Sequence, residues 1–584
     1  MKRMVSLLLI LALLAVGLVS APAEEAQKDE PLFLMREYPV FLTNLDTTTS
    51  REWPLFFTDD AEDMPWIDLE ELAHVANMVM NDCYENKEFH LEYIREGSII
   101  RLERETTGMD MVLDFDANTI TFGDYNVFMQ RSDRNSLMDL LSYSGFNSEG
   151  DAELFQREPN ASFVRFGDYT VLKLSDYNIF MEMEGDRGYI PLQTANDILL
   201  APLLGRSLMF NGQVIVLASQ DDLYDNVRDG LTELGSLYYS AEPVQRSQAL
   251  AEYSYNELCL ALDINYGLKK THGIDSFDRL FWQMGFQEEL SSTDPKEADL
   301  ALKIFISSFL DDLHSSYSMP SWMTGLNAYY EFPGVVRPSD TLFENWADRY
   351  KQARSNALGK QVPAYQEVGN TAYVTFDGFV AKYRASAFYS VDLEELMDDT
   401  IALIIYAHRQ INRENSPVEN VVIDLSNNTG GDADAALFVI AWILGEAEVS
   451  QEDSFTGAQA TLVYRADVNL DRQFDQQDTL QGKRVFCLIS PVSFSCGNLV
   501  PAVFKANQGV TLIGRTSGGG SCVVRSMTTA WGTFFTISGN SRLSFRKNGS
   551  LYDIDEGVDP DVYLSRIENF YDREKLTDLI NGLP

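Results

Sequence analysis

The sequence is poor in positive charge. Its 584 residues include 45 Lys and Arg against 88 Asp and Glu, which leaves a net charge of −43. Nucleic acids and anionic membranes are bound through clustered Lys and Arg, so this balance argues against both as partners. Hydrophobic residues make up 45% of the chain and aromatic residues 12%, which argues against a disordered or fibrous protein.

Cysteine and histidine are scarce, at five residues each. The cysteines have no zinc-type pair spacing and cannot all pair with one another, so no disulfide framework is implied. They are Cys83, Cys259, Cys487, Cys496 and Cys522. After the N-terminal segment, no run approaches the ~18 uninterrupted apolar residues of a membrane span. We therefore expect no transmembrane helix in the mature chain.

The N-terminus has the pattern of a secretory signal peptide. Lys2 and Arg3 precede an apolar run over residues 4–19, and Ala21-Pro22-Ala23 supplies an A-x-A cleavage site. A membrane anchor is the alternative, although ~16 apolar residues are short for a span. The sequence predicts a signal peptide at residues 1–23 and a mature protein that is secreted.

Residues 24–238 are predicted to form a β-rich accessory domain, because alternating apolar and polar segments are separated by Asp, Asn and Gly turns. Two stretches, 64–73 and 188–195, are similar to each other, and each is predicted as a short strand entering a short helix. They resemble the small repeat found at the N-terminus of copper amine oxidases. That resemblance implies a binding or spacer domain without chemistry of its own.

From residue 239 the pattern changes to helix and then to alternating strand and helix. Apolar residues at positions 302, 306, 309 and 313 fall on one face of a helix that leads to His314, within a helical subdomain over 239–330. Residues 331–584 are predicted to form an α/β core. Its strands are expected at 371–376, 421–425, 485–489 and 510–513, and its helices near 391–412, 433–445 and 497–507.

Two strand-to-helix turns in this core are candidates for chemistry. The first ends in Gly430-Gly431, and adjacent glycines allow backbone N–H groups to approach a ligand oxygen at a helix N-terminus. The second places Ser495 between a buried strand and a helix, with the Cys496 N–H beside it, which suits a nucleophile with an oxyanion donor. Taken singly, the first could be an ordinary tight turn, and Ser495 could be a helix N-cap.

Two further segments follow along the chain. Residues 514–520 form a glycine-rich run that would let backbone lie close to a bound chain, and residues 553–561 form an acidic turn. Either could be only a solvated loop.

The order and spacing of these four segments resemble the C-terminal-processing peptidase family, which includes the tail-specific serine proteases and the core of tricorn protease. The family's D-L-R-x-N-x-G-G is matched at 424–431, except that Ser426 replaces the Arg. Its S-A-x-E is loosely matched at 495–498, and its G-V-x-P-D at 557–561. The resemblance covers about 245–584 and implies a crotonase-like α/β core related to the ClpP fold.

Departures from the family's motifs point to one of its branches. The Ser-Lys branch carries its Lys in T-x-G-K-G, where this chain has Gly519, so that dyad is absent. The tricorn-like branch uses a His in D-x-H-S, and residues 312–315 match that motif. The resemblance therefore implies that His314 is the base, and none of the other four His matches a family motif. Asp555 or Glu556 would orient its imidazole.

Three other features of the sequence differ from the family's pattern. Leu313 replaces a Ser that precedes the His in the tricorn-like branch, and Asn498 replaces the Glu of the nucleophile turn. The segment between His314 and Thr371 is too short for the PDZ domain that is commonly inserted there. Substrate selection must then come from elsewhere in the chain.

The acidic segment 467–478 has the spacing of a calcium-binding loop. Oxygen ligands fall at loop positions 1, 3, 5, 9 and 12, and the segment resembles dockerin-type loops, although Arg472 replaces the usual Gly. The candidate ligands are Asp467, Asn469, Asp471, Asp475 and Asp478. A structural calcium and a solvated acidic loop are both open interpretations.

The sequence, with this resemblance, predicts an exported serine endopeptidase that cleaves peptides or proteins and needs no cofactor for catalysis. Ser495 would attack the peptide carbonyl, His314 would transfer the proton, and Asp555 or Glu556 would orient the imidazole. The oxyanion would be held by N–H groups of Cys496 and of Gly430 or Gly431.

A catalytically silent peptide- or ligand-binding protein on the same fold is the alternative function. Gly519, Leu313 and Asn498 support it, because each departs from the family's motifs. The retained Ser495 and His314 favour the peptidase.

Overall fold

A computed structural model describes residues 32–44, 47–83, 89–130, 154–158, 163–226 and 230–584. The predicted signal peptide lies outside these residues. Each helix in the described ranges is too short or too polar to span a bilayer.

Strands predominate in the described residues before 232, as the sequence predicts. They are β1 (Leu34–Asn44), β2 (Thr47–Thr58), β3 (Ala61–Asp68), β4 (Leu91–Glu96), β5 (Ile99–Arg104), β6 (Met109–Asp114), β7 (Thr119–Phe122), β8 (Phe155–Arg157), β9 (Phe163–Arg165), β10 (Thr170–Lys173), β11 (Glu182–Glu184), β12 (Arg187–Pro191), β13 (Ser207–Phe210), β14 (Ile215–Ala218), β15 (Tyr224–Asn226) and β16 (Gly230–Leu231).

Short helices separate these strands. They are α1 (Leu69–Met78), α2 (Tyr125–Phe128), α3 (Leu192–Ala195), α4 (Ala201–Leu204), α5 (Gln220–Leu223) and α6 (Glu233–Tyr238), with π-helical segments at Val79–Cys83 and Asn196–Leu200 and a 3-10 turn at Leu174–Tyr177.

The two similar stretches predicted as strand–helix units are β3 with α1 and β12 with α3. Strand β12 pairs antiparallel with β3, so the two units lie together in one sheet of order β11-β12-β3-β2-β1-β14-β13. A second sheet has the order β10-β7-β6-β5-β4. The β-rich character predicted for this region is confirmed.

Helices predominate between 248 and 358. They are α7 (Gln248–Asn265), α8 (Phe277–Met284), α9 (Gln287–Leu290), α10 (Pro295–Ile304), α11 (Asn327–Glu331) and α12 (Pro338–Leu358); a π-helical segment, Phe305–Leu310, extends α10, and strand β17 (Ser316–Met319) follows it.

The expectation of one apolar face over 302–313 is wrong at its end. Leu302 and Ile306 are buried, but Phe309 is 46% exposed, and the helix ends at Leu310, where Asp311 takes a left-handed conformation. The wider π-helical turn rotates later residues away from the buried face that a 3.6-residue period predicts.

The remaining elements form the α/β core. Its strands are β18 (Tyr365–Val368), β19 (Thr371–Thr375), β20 (Asn420–Asp424), β21 (Ala447–Asp453), β22 (Gln459–Ala466), β23 (Arg484–Ile489), β24 (Val510–Gly514), β25 (Cys522–Thr528), β26 (Phe534–Ser544), β27 (Arg546–Lys547), β28 (Ser550–Leu551) and β29 (Val562–Tyr563). Its helices are α13 (Ala385–Ser390), α14 (Thr400–Ile411), α15 (Ala433–Leu444), α16 (Cys496–Asn507) and α17 (Arg573–Asn581), with 3-10 turns at Leu393–Leu396, Gln476–Asp478 and Ile567–Phe570.

The central sheet has the order β18-β19-β20-β23-β24-β29, and the strands from β19 onward are parallel. All four strands predicted from the sequence belong to it. Every residue of β19 and β20 is buried, as expected for a parallel sheet covered by helices on both faces. The α/β class predicted for the core is confirmed.

A second sheet in the core, of order β17-β26-β21-β22-β8, is joined to the N-terminal region. Strands β8 and β9, from that region, pair with β22, and β25 pairs with β26. These pairings cross the boundary predicted at 238, and the domain boundaries drawn from the sequence stay a prediction.

Candidate active site

Two turns meet at the carboxyl ends of the neighbouring parallel strands β20 and β23. Ligands of parallel sheets bind at this edge. The Phe494 N–H donates to the Asn428 carbonyl at 3.1 Å. The hydroxyls of Ser490 and Ser493 donate to carbonyls of the turn after β20. The turn carrying Ser495 is therefore bonded directly to the turn carrying the two glycines.

Ser495 lies between β23 and α16 with strained backbone angles, φ 57° and ψ −123°. Residues other than glycine rarely adopt a positive φ, and such strain is concentrated at functional turns. Its side chain makes no capping hydrogen bond to α16, so an ordinary N-cap does not describe it. Its N–H donates to the Gly519 carbonyl at 2.9 Å, which helps to hold the turn.

The glycine turn lies against the Ser495 side chain. A Cβ atom at Gly430 would lie 2.6 Å from the Ser495 Cβ and 3.0 Å from its Oγ, so only glycine fits there. The Gly430 N–H donates to Asn428 Oδ1 at 2.9 Å. Within the described ranges, the N–H groups of Gly431 and Cys496 have no such acceptor. Of the predicted oxyanion donors, these two remain available.

His314 follows the end of the helical segment and is held by its own backbone. Its N–H donates to Asp312 Oδ1 at 2.9 Å, and its carbonyl accepts the Thr536 hydroxyl at 2.9 Å. Its ring packs on that of Phe494, with 4.6 Å between ring centroids. Because Phe494 precedes Ser495, this contact brings His314 to the nucleophile turn.

The His314 imidazole is buried and uncharged. The residue is only 8% exposed, and its Nε2 has no hydrogen-bond partner among the described residues. Burial lowers the pKa of His314, while the charges of Asp312 and Asp555 act in the opposite direction. The net lowering keeps the ring unprotonated at neutral pH.

Asp555 and Glu556 have different surroundings. The Asp555 carboxylate acts on His314 through its charge, and its Oδ1 accepts the Ser521 N–H at 2.9 Å and the Ser521 hydroxyl at 2.8 Å. Glu556 is exposed to solvent. The structure therefore brings Asp555, rather than Glu556, toward the imidazole.

Asn498, which replaces the family's Glu, links the nucleophile helix to the acid turn. It is fully buried, its Nδ2 donates to the Ile554 carbonyl at 2.8 Å, and its Oδ1 accepts the Ser517 hydroxyl at 2.7 Å. Its position in the first turn of α16 thus fixes the residue that precedes Asp555.

A lysine does not fit where the Ser-Lys branch would place it. Gly519 has φ +82°, and a Cβ atom there would lie 1.8 Å from the Asp555 carbonyl oxygen. The Gly520 N–H donates to the same oxygen at 3.0 Å. The backbone of the acid turn occupies the space that a side chain at 519 would need.

The predicted calcium loop satisfies its buried carboxylates with its own backbone. The Asp467 carboxylate accepts hydrogen bonds from the N–H groups of Asp471 and Arg472 and from the Tyr389 hydroxyl. The Asp478 carboxylate accepts hydrogen bonds from the N–H groups of Val468 and Asn469. In the described ranges, no three acidic, His or Cys side chains converge as metal ligands. The five candidate ligands thus do not form a ligand set in this arrangement, and calcium binding stays a prediction.

Three contributors were missed from the sequence: Ser521, Phe494 and the linking role of Asn498. Ser521 and Asp555 are far apart in the chain, so no spacing rule relates them. Phe494 could have been singled out, because a large side chain immediately before the candidate nucleophile must pack against something nearby.

The sequence and the structure were compared with known proteins. Residues 370–564 match the model of peptidase family S41. No curated protein matches the chain. Among solved structures, a candidate peptidase from Parabacteroides merdae is 18% identical, with a TM-score of 0.40 over 56% of this chain and 96% of that one.

Two further solved structures are similar at the same level. The photosystem II D1 C-terminal processing protease is 20% identical, with a TM-score of 0.25 over 33% of this chain and 42% of that one. Mature CPAF complexed with lactacystin is 12% identical, with a TM-score of 0.34 over 57% and 98%.

The α/β core and the family match define a serine-type peptidase. The match of residues 370–564 to the model of peptidase family S41 confirms the resemblance seen in the sequence. The matched range includes Ser495, Asp555 and both turn glycines, whereas His314 lies before it.

Proposed function

We propose that this protein is an exported serine endopeptidase with a site formed by Ser495, His314 and Asp555. The observation that carries the proposal is the ring contact between buried His314 and Phe494, the residue that precedes the strained, uncapped Ser495. The His314 Nε2 lacks a partner in the described chain. Export rests on the signal peptide predicted at residues 1–23. The substrate class is peptide or protein, in keeping with the family.

The proposed reaction uses each group for one task. His314 accepts the Ser495 hydroxyl proton as Oγ attacks the peptide carbonyl, and it then gives that proton to the leaving amine. The Cys496 and Gly431 N–H groups stabilise the negative oxygen of the tetrahedral intermediate. Asp555 stabilises the imidazolium that forms, and water releases the acyl group from Ser495 by the same route. No step calls on a cofactor.

Hydrolysis of β-casein by purified variants tests this assignment. Ser495→Ala and His314→Ala should each lower kcat by about 10³-fold or more, since the residues act as a unit. Asp555→Asn should lower it markedly, whereas the matched change Glu556→Gln, at the exposed neighbour, should leave it within about twofold. Equal effects of the last two variants would contradict the role of Asp555.

The silent binding protein is the outcome to exclude. Casein turnover that is absent from the wild type, or unchanged in Ser495→Ala, would favour it. Two of the departures that supported it have structural explanations: Asn498 links the nucleophile helix to the acid turn, and the Asp555 carbonyl occupies the space that a side chain at Gly519 would need. Determining the N-terminal residue of the secreted protein tests export, and we expect it close to Glu24.

A further inference from the structure

Strand β25 begins at the candidate site. Ser521, immediately before it, donates to Asp555 Oδ1, and the carbonyl of Gly519, two residues earlier, accepts the Ser495 N–H. The chain therefore runs from the nucleophile and the acid directly into β25.

The outer side of β25 is an open sheet edge. Its pairing partner is β26, and no other strand of the described residues pairs with it. Val523 and Val524 are 40% and 48% exposed. Exposed edges of this kind are templates on which another extended chain can add.

The hydrogen-bond pattern shows which groups face outward. The Ser538 N–H donates to the Ser315 hydroxyl and its carbonyl accepts the Gly267 N–H, so both backbone groups of Ser538 point away from β25. Val524 lies opposite Ser538, which makes this pair a non-hydrogen-bonded one. The Val524 N–H and carbonyl must then point outward.

The same alternation holds along the strand. Ser526 is two residues on and therefore also points its backbone groups outward. Thr528 completes the series, and its outward carbonyl is occupied, because Gln193 Nε2 donates to it at 3.0 Å. That contact supports the assigned alternation and marks the end of the open edge. Within the part of the chain that the structure describes, the outward N–H and carbonyl groups of Val524 and Ser526 thus have no partner.

We propose that an extended segment of the peptide substrate adds to this edge as a further strand, bonded to the backbone of Val524 and Ser526. The inference rests on the proposed function and names how the substrate is held. A substrate is the favoured occupant because the edge is continuous with Ser495 and Asp555. Backbone pairing gives affinity without sequence preference, and the exposed Val524 side chain favours an apolar or β-branched neighbour.

The geometry sets a length requirement. A strand advances about 3.3 Å per residue, so Val524 lies at most ~17 Å along the chain from Gly519. Contact with Ser526 needs about seven residues on one side of the scissile bond, and contact with Val524 needs about five. Peptides shorter than this should be cleaved much less efficiently than octapeptides of the same central sequence.

Proline substitution tests the edge in the full-length protein. Val524→Pro removes an outward N–H and leaves the β26 hydrogen bonds in place, a change that edge strands tolerate. Val524→Ala is the matched control, since it shortens the side chain and keeps the N–H. We expect Val524→Pro to lower kcat/KM for β-casein at least tenfold, and Val524→Ala to lower it less than threefold. Casein cleavage by Val524→Pro at the wild-type rate would overturn the proposal.

A scan of N-methylated octapeptides on the wild-type enzyme decides the matter even if Val524→Pro does not fold. The losses in kcat/KM should alternate with a period of two residues on one side of the scissile bond. Losses confined to the scissile bond would overturn the proposal. So would a dimer, seen by sedimentation, that dissociates in Val524→Pro with casein cleavage unchanged, because a second copy would then occupy the edge.

Fluorophosphonate labelling separates the two levels of inference. If the wild type does not label at Ser495, the proposed function fails. If it labels and the N-methyl scan shows no alternation, only the edge-strand inference fails.

Discussion

At the scale of single residues, burial tunes the groups that carry protons. His314 is buried, and its pKa is lowered by that burial despite the charges of Asp312 and Asp555. In the proposed reaction His314 is the general base, which works when it is neutral, so its lowered pKa would extend activity to lower pH.

The acid limb of the pH–rate profile tests this assignment. We expect the limb of kcat/KM for casein hydrolysis to lie below pH ~6.5, the ordinary value for His. Asp555→Asn removes a charge that raises the pKa of His314, so its limb should move to lower pH while its rate falls. A limb above the ordinary value, or one that moves upward in Asp555→Asn, would contradict a buried neutral base.

A pair of buried carboxyl groups lies away from the candidate site. Asp197 and Glu257 are fully buried, and burial raises the pKa of both carboxyl groups. Among the described residues, Asp197 Oδ2 and Glu257 Oε1 accept no hydrogen bond. When one of the two carboxyl groups is protonated, it can donate a hydrogen bond to the other. Stability from this protonated pair is present below the unfolded pKa of about 4 and is lost as pH rises through the raised values.

Thermal melting between pH 5 and 9 checks the pair. The melting temperature of the wild type should fall as pH rises across this range. Glu257→Gln, which keeps the shape and cannot ionise, should show a clearly shallower fall. Parallel curves for the two proteins would mean that the pair does not titrate as its burial requires.

Gly519 stands where the Ser-Lys branch has its lysine, and substitution by alanine tests whether any side chain fits there. Gly519→Ala should destabilise the fold by about 3 kcal/mol or more, because the new Cβ meets the Asp555 carbonyl and φ is positive. Gly482→Ala is the matched control: φ is +67° and nothing lies within 4 Å of its Cβ, so only about 1–2 kcal/mol is expected. Equal losses in urea unfolding would show that the clash is relieved.

At the scale of elements, alternation along the chain was sufficient to predict the central strands and helices of the core. Strand β20 is wholly apolar apart from its ends, and polar turns with glycine follow it, so its identity is local. The interruption of the predicted helix at 391–412 was not predictable in this way. Asp399 accepts N–H groups of Ile401 and Ala402 and begins α14 there, after a separate 3-10 turn.

The candidate site residues that lie in the family's motifs could be predicted from the sequence. Ser495, the glycine turn and His314 follow from the family's motifs. The choice of Asp555 over Glu556 depends on Ser521 and Asn498, which approach the acid turn through tertiary folding. Local sequence contains no signal for such contacts, and the register of the two acidic residues stayed open for that reason.

The acidic loop at 467–478 is the element on which the sequence left two interpretations. Its buried carboxylates already have donors, so a melting temperature that is the same in millimolar calcium and in chelator would identify a solvated acidic loop. A rise of several degrees with calcium would show instead that the loop reorganises around the ion. Asp471→Asn, at an exposed position, should abolish such a rise without removing the donors to Asp467.

At the scale of the whole molecule, the N-terminal region and the core are built as neighbours that share a sheet. Strands β8 and β9 extend the core sheet at β22, and Ser247 at the start of α7 donates to Asp63 through both its N–H and its hydroxyl. The segment between His314 and β19 is occupied by β17, α11, α12 and β18. Substrate contacts are therefore expected from the core itself, of which β25 is the open edge.

The central claim is that Ser495 is the nucleophile activated by His314. Labelling the purified protein with a fluorophosphonate and mapping the modified peptide by mass spectrometry tests it most directly. The account predicts a single adduct on Ser495 that forms in the wild type, is lost in Ser495→Ala and forms at least a hundredfold more slowly in His314→Ala. An adduct on another residue, or equal labelling of the three proteins, would contradict it.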